Sequence, residues 1–160
     1  SEAGFERLAQ RLAALHAIRE PAEVPPADAD AMARGYLERL QRRDPGAAAS
    51  LHPMRARIAA ISAELRQLEG GQVLVHGDLM AGNVLGEGPQ LVDWEYAQAA
   101  DPTWDWACLL SYYPSLERRV EQLLAAGGGD TEARRTRLAL QRERFDLLNH
   151  LWQRAYPPML

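Results

Sequence analysis

Three polar residues near the middle of the chain have the types and the spacing that phosphoryl transfer requires. Asp78 is followed five positions later by Asn83, and Asp93 ends a short apolar stretch ten residues further on. In such a layout one carboxylate orients an attacking hydroxyl and accepts its proton, while an amide oxygen and a second carboxylate hold magnesium on nucleotide phosphates. Oxygen ligands suit this hard cation. A purely structural role for the three residues is the alternative. It is the weaker one, because the match requires both this spacing and the flanking strands.

The elements that must position these residues are short strands joined by loops. Apolar and β-branched residues predict strands at 73–75, 83–85 and 90–92, and two glycines with a proline at 86–89 predict a hairpin turn between the last two. The same glycines do not indicate a nucleotide-binding loop, because no helix follows them. Loops between short strands can bring two carboxylates and an amide together without distorting a helix.

Helices are predicted on both sides of these strands. Apolar residues recur every three or four positions, and prolines or glycines interrupt the pattern. The first helices are expected over about residues 3–19, 30–43 and 53–69, and the later ones from about 102 and 114, with a long final helix ending near 156. The sequence therefore predicts a mainly α fold with a small β patch. We expect a single domain over residues 1–160, with catalytic and metal-binding loops over about 73–96.

Composition excludes several classes of function. All 18 cationic side chains are arginines, which rules out Schiff-base catalysis, a Walker-type phosphate lysine and any other mechanism that needs a side-chain ammonium. A net charge of −4 gives no electrostatic case for nucleic acid, and no apolar run is long enough to span a bilayer. The single cysteine, Cys108, and the four histidines lack the paired spacing of a zinc site. We therefore expect a cytoplasmic protein with no nucleic-acid or membrane partner.

Three stretches of the sequence together resemble a known family. They are residues 75–85 (VHGDLMAGNVL), 91–96 (LVDWEY) and 101–105 (DPTWD). This pattern is similar to that of the aminoglycoside phosphotransferase and choline kinase superfamily, and closer to its choline, ethanolamine and thiamine kinase-like branch than to its antibiotic-resistance branch. The flanking helices follow the order of the family's kinase-like C-terminal lobe, so the resemblance covers most of the chain.

The resemblance assigns a role to each matching residue. It makes Asp78 the catalytic base and Asn83 and Asp93 the ligands of Mg²⁺, with ATP as the phosphoryl donor. His76 becomes a residue that braces the catalytic loop, and Asp105 becomes a structural support for that loop. A histidine in this position is more often structural than a proton carrier.

Two further residues are candidates for binding the substrate. Glu95 lies two positions after the metal-binding aspartate, where it either contacts a cationic substrate or remains a solvated surface residue. Trp152, one helical turn before Tyr156, corresponds to late aromatic residues that line the substrate pocket of choline kinase-like proteins. Its spacing from other apolar residues also allows a place in the hydrophobic core. For Trp94, Trp104 and Trp106 the core is the favoured interpretation.

The sequence departs from the family in having no N-terminal lobe. That lobe supplies a phosphate-covering loop and a strand lysine, and this chain has neither. A fragment of a longer protein, a lobe supplied by another polypeptide and a loss of catalysis are the three explanations, of which we favour the fragment. The resemblance implies an ATP-dependent kinase that acts on a small amine-bearing alcohol and is inactive as an isolated lobe. An aminoglycoside or sugar kinase and a non-catalytic binding domain are the alternatives.

Overall fold

Six α-helices and four short strands make up the described part of the chain. The computed structural model describes residues 2–19, 21–68, 70–126, 129 and 131–157. The helices are α1 (Glu2–His16), α2 (Ala29–Arg43), α3 (Pro45–Gln67), α4 (Thr103–Tyr112), α5 (Val120–Ala126) and α6 (Glu132–Ala155). The strands are β1 (Val73–Val75), β2 (Val84–Leu85), β3 (Gln90–Leu91) and β4 (Gln98–Ala100), with 3₁₀ turns at 81–83, 94–96 and 114–119. The predicted mainly α fold with a small β patch is therefore confirmed.

The chain forms two compact units, of which the first contains all four strands. This unit comprises residues 1–27 and 69–142. β1 pairs with β4 in antiparallel orientation, and β2 pairs with β3 across the turn that the sequence predicts at 86–89. α4 is the central helix of the unit, because residues 103–110 are all buried. An almost uninterrupted apolar sequence suits a helix that is covered on every side.

The second unit consists of residues 28–68 and 143–160. Within it α2 packs against α3 through a buried layer that includes Leu37, Leu40 and Ile61. The C-terminal half of α6 joins them, since Arg57 on α3 holds Glu143 in a bidentate ion pair with N–O distances of 2.6 and 2.7 Å. This pair is exposed, so solvent screens it and we expect it to add little to the stability of the unit.

Four elements differ from the sequence-based expectation. The helix predicted from 114 begins as a 3₁₀ turn at 114–119, and α5 starts only at Val120. α1 ends at His16, because the backbone carbonyl of Ile18 accepts a hydrogen bond from the Leu74 amide of β1. α3 begins at Pro45, eight residues earlier than predicted, because proline is tolerated at the first helical position and Asp44 caps the Ala47 amide. β4 was not predicted, since its Gln-Ala-Ala sequence has low strand propensity and only pairing with β1 selects it.

No helix within the described residues combines the length and the apolar character that crossing a membrane requires. The prediction of a single domain over the whole chain stays a prediction.

Candidate active site

One face of α4 supports the segment that contains Asp78. Asp105, Cys108 and Tyr112 are spaced three and four residues apart, so their side chains project from the same side of the helix. Each contacts the loop after β1. Asp105 accepts hydrogen bonds from the backbone of this loop, and the Cys108 sulfur accepts one from the Leu79 amide at 3.0 Å. The Tyr112 hydroxyl lies within hydrogen-bonding reach of the Asp78 carboxylate. α4 therefore sets the conformation of this loop residue by residue.

Asp105 is fully buried and accepts hydrogen bonds from three donors. Its Oδ1 accepts the Gly77 amide at 2.9 Å, and its Oδ2 accepts the His76 amide at 3.1 Å and His16 Nε2 at 2.9 Å. A buried carboxylate is tolerated only when its oxygens are satisfied in this way. The contacts join α1, the loop after β1 and α4 at one side chain.

Gly77 has a backbone conformation that only glycine adopts easily. Its φ is +83°, and a Cβ at this position would collide with the backbone carbonyl oxygen of Tyr96. The missing side chain therefore lets the loop that carries Asp78 approach the turn that follows Asp93.

We expect Gly77→Ala to destabilise the chain by about 2 kcal/mol or more, because alanine adds a left-handed backbone cost to a clash with immobile backbone. Gly82→Ala is the matched control in the same loop, since a Cβ there meets nothing within 4 Å. Thermal denaturation of the two variants measures the difference. Equal melting temperatures for both variants would contradict this account of Gly77.

His76 joins the two halves of the site through both ring nitrogens. Nε2 lies 2.9 Å from the Val92 carbonyl oxygen, and the Asp78 amide donates to Nδ1 at 3.3 Å. A carbonyl only accepts and an amide only donates, so the hydrogen bonds select the neutral ring with its proton on Nε2. The ring is completely buried, and it braces the backbone of Asp78 against the residue that precedes Asp93.

The side chains of Asp78 and Asn83 are in direct contact. Asn83 Nδ2 donates to the Asp78 Oδ2 atom at 2.8 Å and to the Asp78 backbone carbonyl at 2.9 Å. The 3₁₀ turn at 81–83 brings the amide back over the aspartate, which explains the five-residue spacing. Because both amide hydrogens are used, Asn83 Oδ1 is the atom left to accept a further ligand.

Asp78 is only partly buried, and its Oδ2 atom accepts the hydrogen bond from Asn83. Burial raises the pKa of this carboxyl above its usual value, whereas the hydrogen bond from Asn83 opposes the increase. Burial also raises the pKa of Tyr112, so the tyrosine hydroxyl stays protonated and donates to Asp78. Tyr112 is a functional candidate that sequence reasoning missed, although its helical spacing from Asp105 was a usable signal.

Asp93 is placed near Asn83 by the β2–β3 hairpin. The Val92 amide donates to the Asn83 carbonyl at 3.1 Å, so the backbone hydrogen bonds between the two strands of the hairpin continue to the residue before Asp93. Asp93 itself has a left-handed backbone with φ of 62°, which is unusual for a residue other than glycine. Its side chain is exposed, and it follows the last residues that pair between β2 and β3.

These residues fit a magnesium ion in the way that nucleotide sites usually hold one. The Asn83 Oδ1 atom and the Asp93 carboxylate are hard oxygen donors on adjacent backbone, and Mg²⁺ is commonly bound by one or two protein groups together with phosphates and water. Within the described residues no group of three or more His, Cys, Asp or Glu side chains could form a complete protein cage. The donor set therefore suits a metal that is shared with a nucleotide.

The remaining predicted residues lie at different places. Glu95 is exposed on the 3₁₀ turn directly after Asp93, in the same unit as Asp78. Trp152 belongs to the second unit, where its ring is 39% exposed and stacks on Tyr156 with a centroid distance of 5.7 Å. The core interpretation of Trp152 is therefore wrong, and its predicted contact with substrate stays a prediction.

Two of the other three tryptophans are in the core. Trp104 and Trp106 are buried on α4, as predicted. Trp94 is 44% exposed, and the prediction that it is a core residue is wrong. Its ring lies against that of His76 at 4.7 Å between centroids, and its indole N–H donates to the Leu91 carbonyl. The 3₁₀ turn after Asp93 directs this ring over the histidine and away from the interior.

The sequence and the fold both match known proteins. The model of the phosphotransferase enzyme family matches residues 1–140. A choline/ethanolamine kinase family protein from Mesorhizobium loti is 25% identical, with a TM-score of 0.72 over 93% of this chain and 52% of that protein. Choline kinase LicA from Streptococcus pneumoniae is 20% identical, with a TM-score of 0.72 over 94% of this chain and 55% of that protein.

A more distant similarity reaches the antibiotic kinases. Spectinomycin phosphotransferase APH(9)-Ia, solved with ADP and spectinomycin, has 16% identity and a TM-score of 0.62 over 94% of this chain and 54% of its own. No curated protein matches the chain at a significant level. The chain thus spans about half the length of these solved structures and has the kinase-like fold of the corresponding half.

Proposed function

Because the chain belongs to the phosphotransferase enzyme family, we propose that it is the catalytic half of an ATP-dependent kinase that phosphorylates a hydroxyl of a small amine-bearing alcohol. The observation that carries this proposal is the partly buried Asp78 carboxylate, which accepts a hydrogen bond from Asn83 and lies within hydrogen-bonding reach of Tyr112. A carboxylate fixed in this way can position a hydroxyl and take its proton.

The reaction places Asp78 beside the acceptor hydroxyl. The acceptor oxygen attacks the γ-phosphorus of ATP, the bond from that phosphorus to the bridging oxygen of ADP breaks, and the hydroxyl proton passes to the Asp78 carboxylate. His76 and Asp105 are positioning residues, because they hold the backbone of the loop and do not face the reacting atoms.

Asn83 and Asp93 would hold Mg²⁺ on the phosphates. When bound, the ion neutralises phosphate charge that develops during transfer. The left-handed backbone of Asp93 and the twin hydrogen bonds of Asn83 keep both oxygen donors available for this purpose.

The surroundings of Asp78 favour an acceptor that carries a positive charge. Asp93 and Glu95 are exposed carboxylates at the same turn, and Tyr96 and Tyr112 are exposed aromatic residues of the kind that bind cations through cation–π contacts. Similarity to a choline/ethanolamine kinase family protein supports the same substrate class. Trp152 is proposed as a further aromatic contact in the complete enzyme.

The complete nucleotide site is proposed to include a second lobe. LicA was solved with AMP and the spectinomycin kinase with ADP, and this chain spans about half of each. We therefore expect the isolated chain to bind ATP weakly and to transfer no phosphate on its own.

An acceptor screen tests the proposed function. The full-length protein is incubated with ATP and Mg²⁺ and with choline, ethanolamine, thiamine or an aminoglycoside, and ADP release is measured. We expect release with at least one of the three amine-bearing alcohols. Release with the aminoglycoside alone would assign the antibiotic-kinase alternative, and release with none of the four would favour a non-catalytic binding domain.

A further inference from the structure

A groove lies between α2 and α3 within the second unit. It has a volume of about 410 Å³, and the buried Leu37 supplies its apolar part. This volume is in the range of small-molecule sites, and a further helix, about 10 Å wide, would not fit inside it. The other residues that line the groove are polar or charged and exposed, namely Arg34, Glu38, Gln41 and Arg42 on α2 and His52 and Arg55 on α3.

The lining of the groove carries more positive than negative charge. The side chains of Arg34, Arg42 and Arg55 form no ion pair and no hydrogen bond with any described residue. Glu38 is the one acid of the lining, and it can offset only one guanidinium. A surplus of two positive charges therefore remains without counting His52, and a proton on that histidine would only add to it.

Neighbouring arginines on the same two helices do have partners. Arg39 and Arg43 each donate to the Ala155 carbonyl oxygen at 3.2 Å, and Arg57 holds Glu143. These contacts join α2 and α3 to α6. The arginines of the groove take no part in them, so their guanidinium groups are available to a ligand.

The arginines of the groove lie at two separate ends. Arg34 and Arg42 are eight residues apart on α2, so their backbone positions differ by about 12 Å along the helix axis. Arg34 and Arg55 are ten and eleven residues from Asp44, where α2 passes into α3, and a helical hairpin brings such positions to the same end. A single phosphate can reach the cations of one end, whereas two linked phosphates can reach both.

We propose that this groove binds a diphosphate group, either as free pyrophosphate or as part of a nucleoside diphosphate. Guanidinium groups donate paired hydrogen bonds to phosphate oxygens, and the Gln41 amide adds a further donor. A diphosphate carries at least about two negative charges at neutral pH, which match the surplus of the lining. None of the residues proposed for proton transfer, metal binding or acceptor binding lines the groove, so this inference stands apart from the proposed function.

Calorimetry on the 160-residue chain tests the proposal at neutral pH, at constant ionic strength and without Mg²⁺. Leaving out the ion prevents a metal-dependent nucleotide site from contributing. We expect pyrophosphate to bind at least about tenfold more tightly than inorganic phosphate, because only pyrophosphate reaches the cations at both ends. The absence of pyrophosphate binding, or equal affinity for the two ions, would overturn the proposal.

Arg42→Gln and Arg55→Gln are the informative variants, because they remove a cation from opposite ends of the groove. Both side chains are exposed and have no partner among the described residues, so the melting temperature without ligand should equal that of the wild type. We expect each change to weaken pyrophosphate binding about tenfold. Arg11→Gln removes the same charge from an exposed position on α1 outside the groove, and affinity should stay within about twofold. Equal losses in all three variants would show non-specific attraction and no site.

Competition with ADP distinguishes the two sources of the diphosphate group. If ADP displaces pyrophosphate from the wild type, and binds about tenfold more weakly to both groove variants, the groove accepts the diphosphate of a nucleotide. If ADP leaves bound pyrophosphate in place, free pyrophosphate is the ligand. Neither result depends on the acceptor screen, so this proposal and the proposed function can fail separately.

Discussion

Replacing Asp78 with asparagine is expected to lower kcat for phosphate transfer by about 10³-fold in the full-length protein. Asparagine has nearly the same size and can still accept a hydrogen bond from Asn83, but it cannot take the proton of the acceptor hydroxyl. Because the change removes proton transfer and leaves the nucleotide contacts in place, KM for ATP should stay within about twofold. Steady-state ADP release with the best acceptor from the screen measures both parameters.

Glu38→Gln is the matched control for this experiment. Glu38 is an exposed carboxylate on α2 in the second unit, and it has no assigned part in the chemistry. We expect its kcat and its melting temperature to equal those of the wild type. If Asp78→Asn kept more than about a tenth of the wild-type kcat, Asp78 would not be the base, because general-base catalysis contributes at least about a hundredfold.

Replacing Asp105 with asparagine is expected to destabilise the chain by about 3 kcal/mol or more. Asparagine presents one oxygen and one N–H₂ group to the three donors that now meet the carboxylate, so at least one buried N–H group faces another donor. Each buried polar group left without a partner costs roughly 1–3 kcal/mol, and breaking a buried charge network costs about 3–5 kcal/mol. Urea denaturation of this variant and of Glu38→Gln measures the difference.

Amide hydrogen exchange separates this local effect from general unfolding. In the wild type the Gly77 and His76 amides are bonded to Asp105, so they should exchange slowly. In Asp105→Asn these two amides should exchange faster at temperatures well below the melting point, while the Leu37 and Leu40 amides in α2 stay protected. A variant as stable as the wild type, with unchanged exchange at Gly77, would contradict the positioning role of Asp105.

The spacing of the functional residues was predictable because it is local. The 3₁₀ turn at 81–83, in the loop between β1 and β2, sets the spacing between Asp78 and Asn83. The β2–β3 hairpin sets the spacing between Asn83 and Asp93. These elements are encoded within about twenty consecutive residues, where turn glycines and β-branched residues are strong signals. The helices of the second unit were predictable for the same reason, apart from the early start of α3 at Pro45.

The supporting contacts could not be predicted in this way. His16 is 89 residues from Asp105 in the sequence, and the Cys108 sulfur contacts an amide 29 residues away. β4 has low strand propensity of its own, and Trp94 is a large apolar residue typical of a core although its turn directs it to the surface. Long-range packing decides each of these cases, and single-residue propensities contain no information about it.

The sequence alone therefore determined which chemistry is proposed, and the tertiary structure determined how the candidate residues are held in place. Residue type and local spacing are sufficient to predict a base and two oxygen ligands, because proton transfer and metal binding depend on those groups directly. The orientation of Asp78 depends on α4, which packs one face against the loop through Asp105, Cys108 and Tyr112. That arrangement follows from burying an apolar helix among elements that are distant in sequence, so it exists only once the chain has folded.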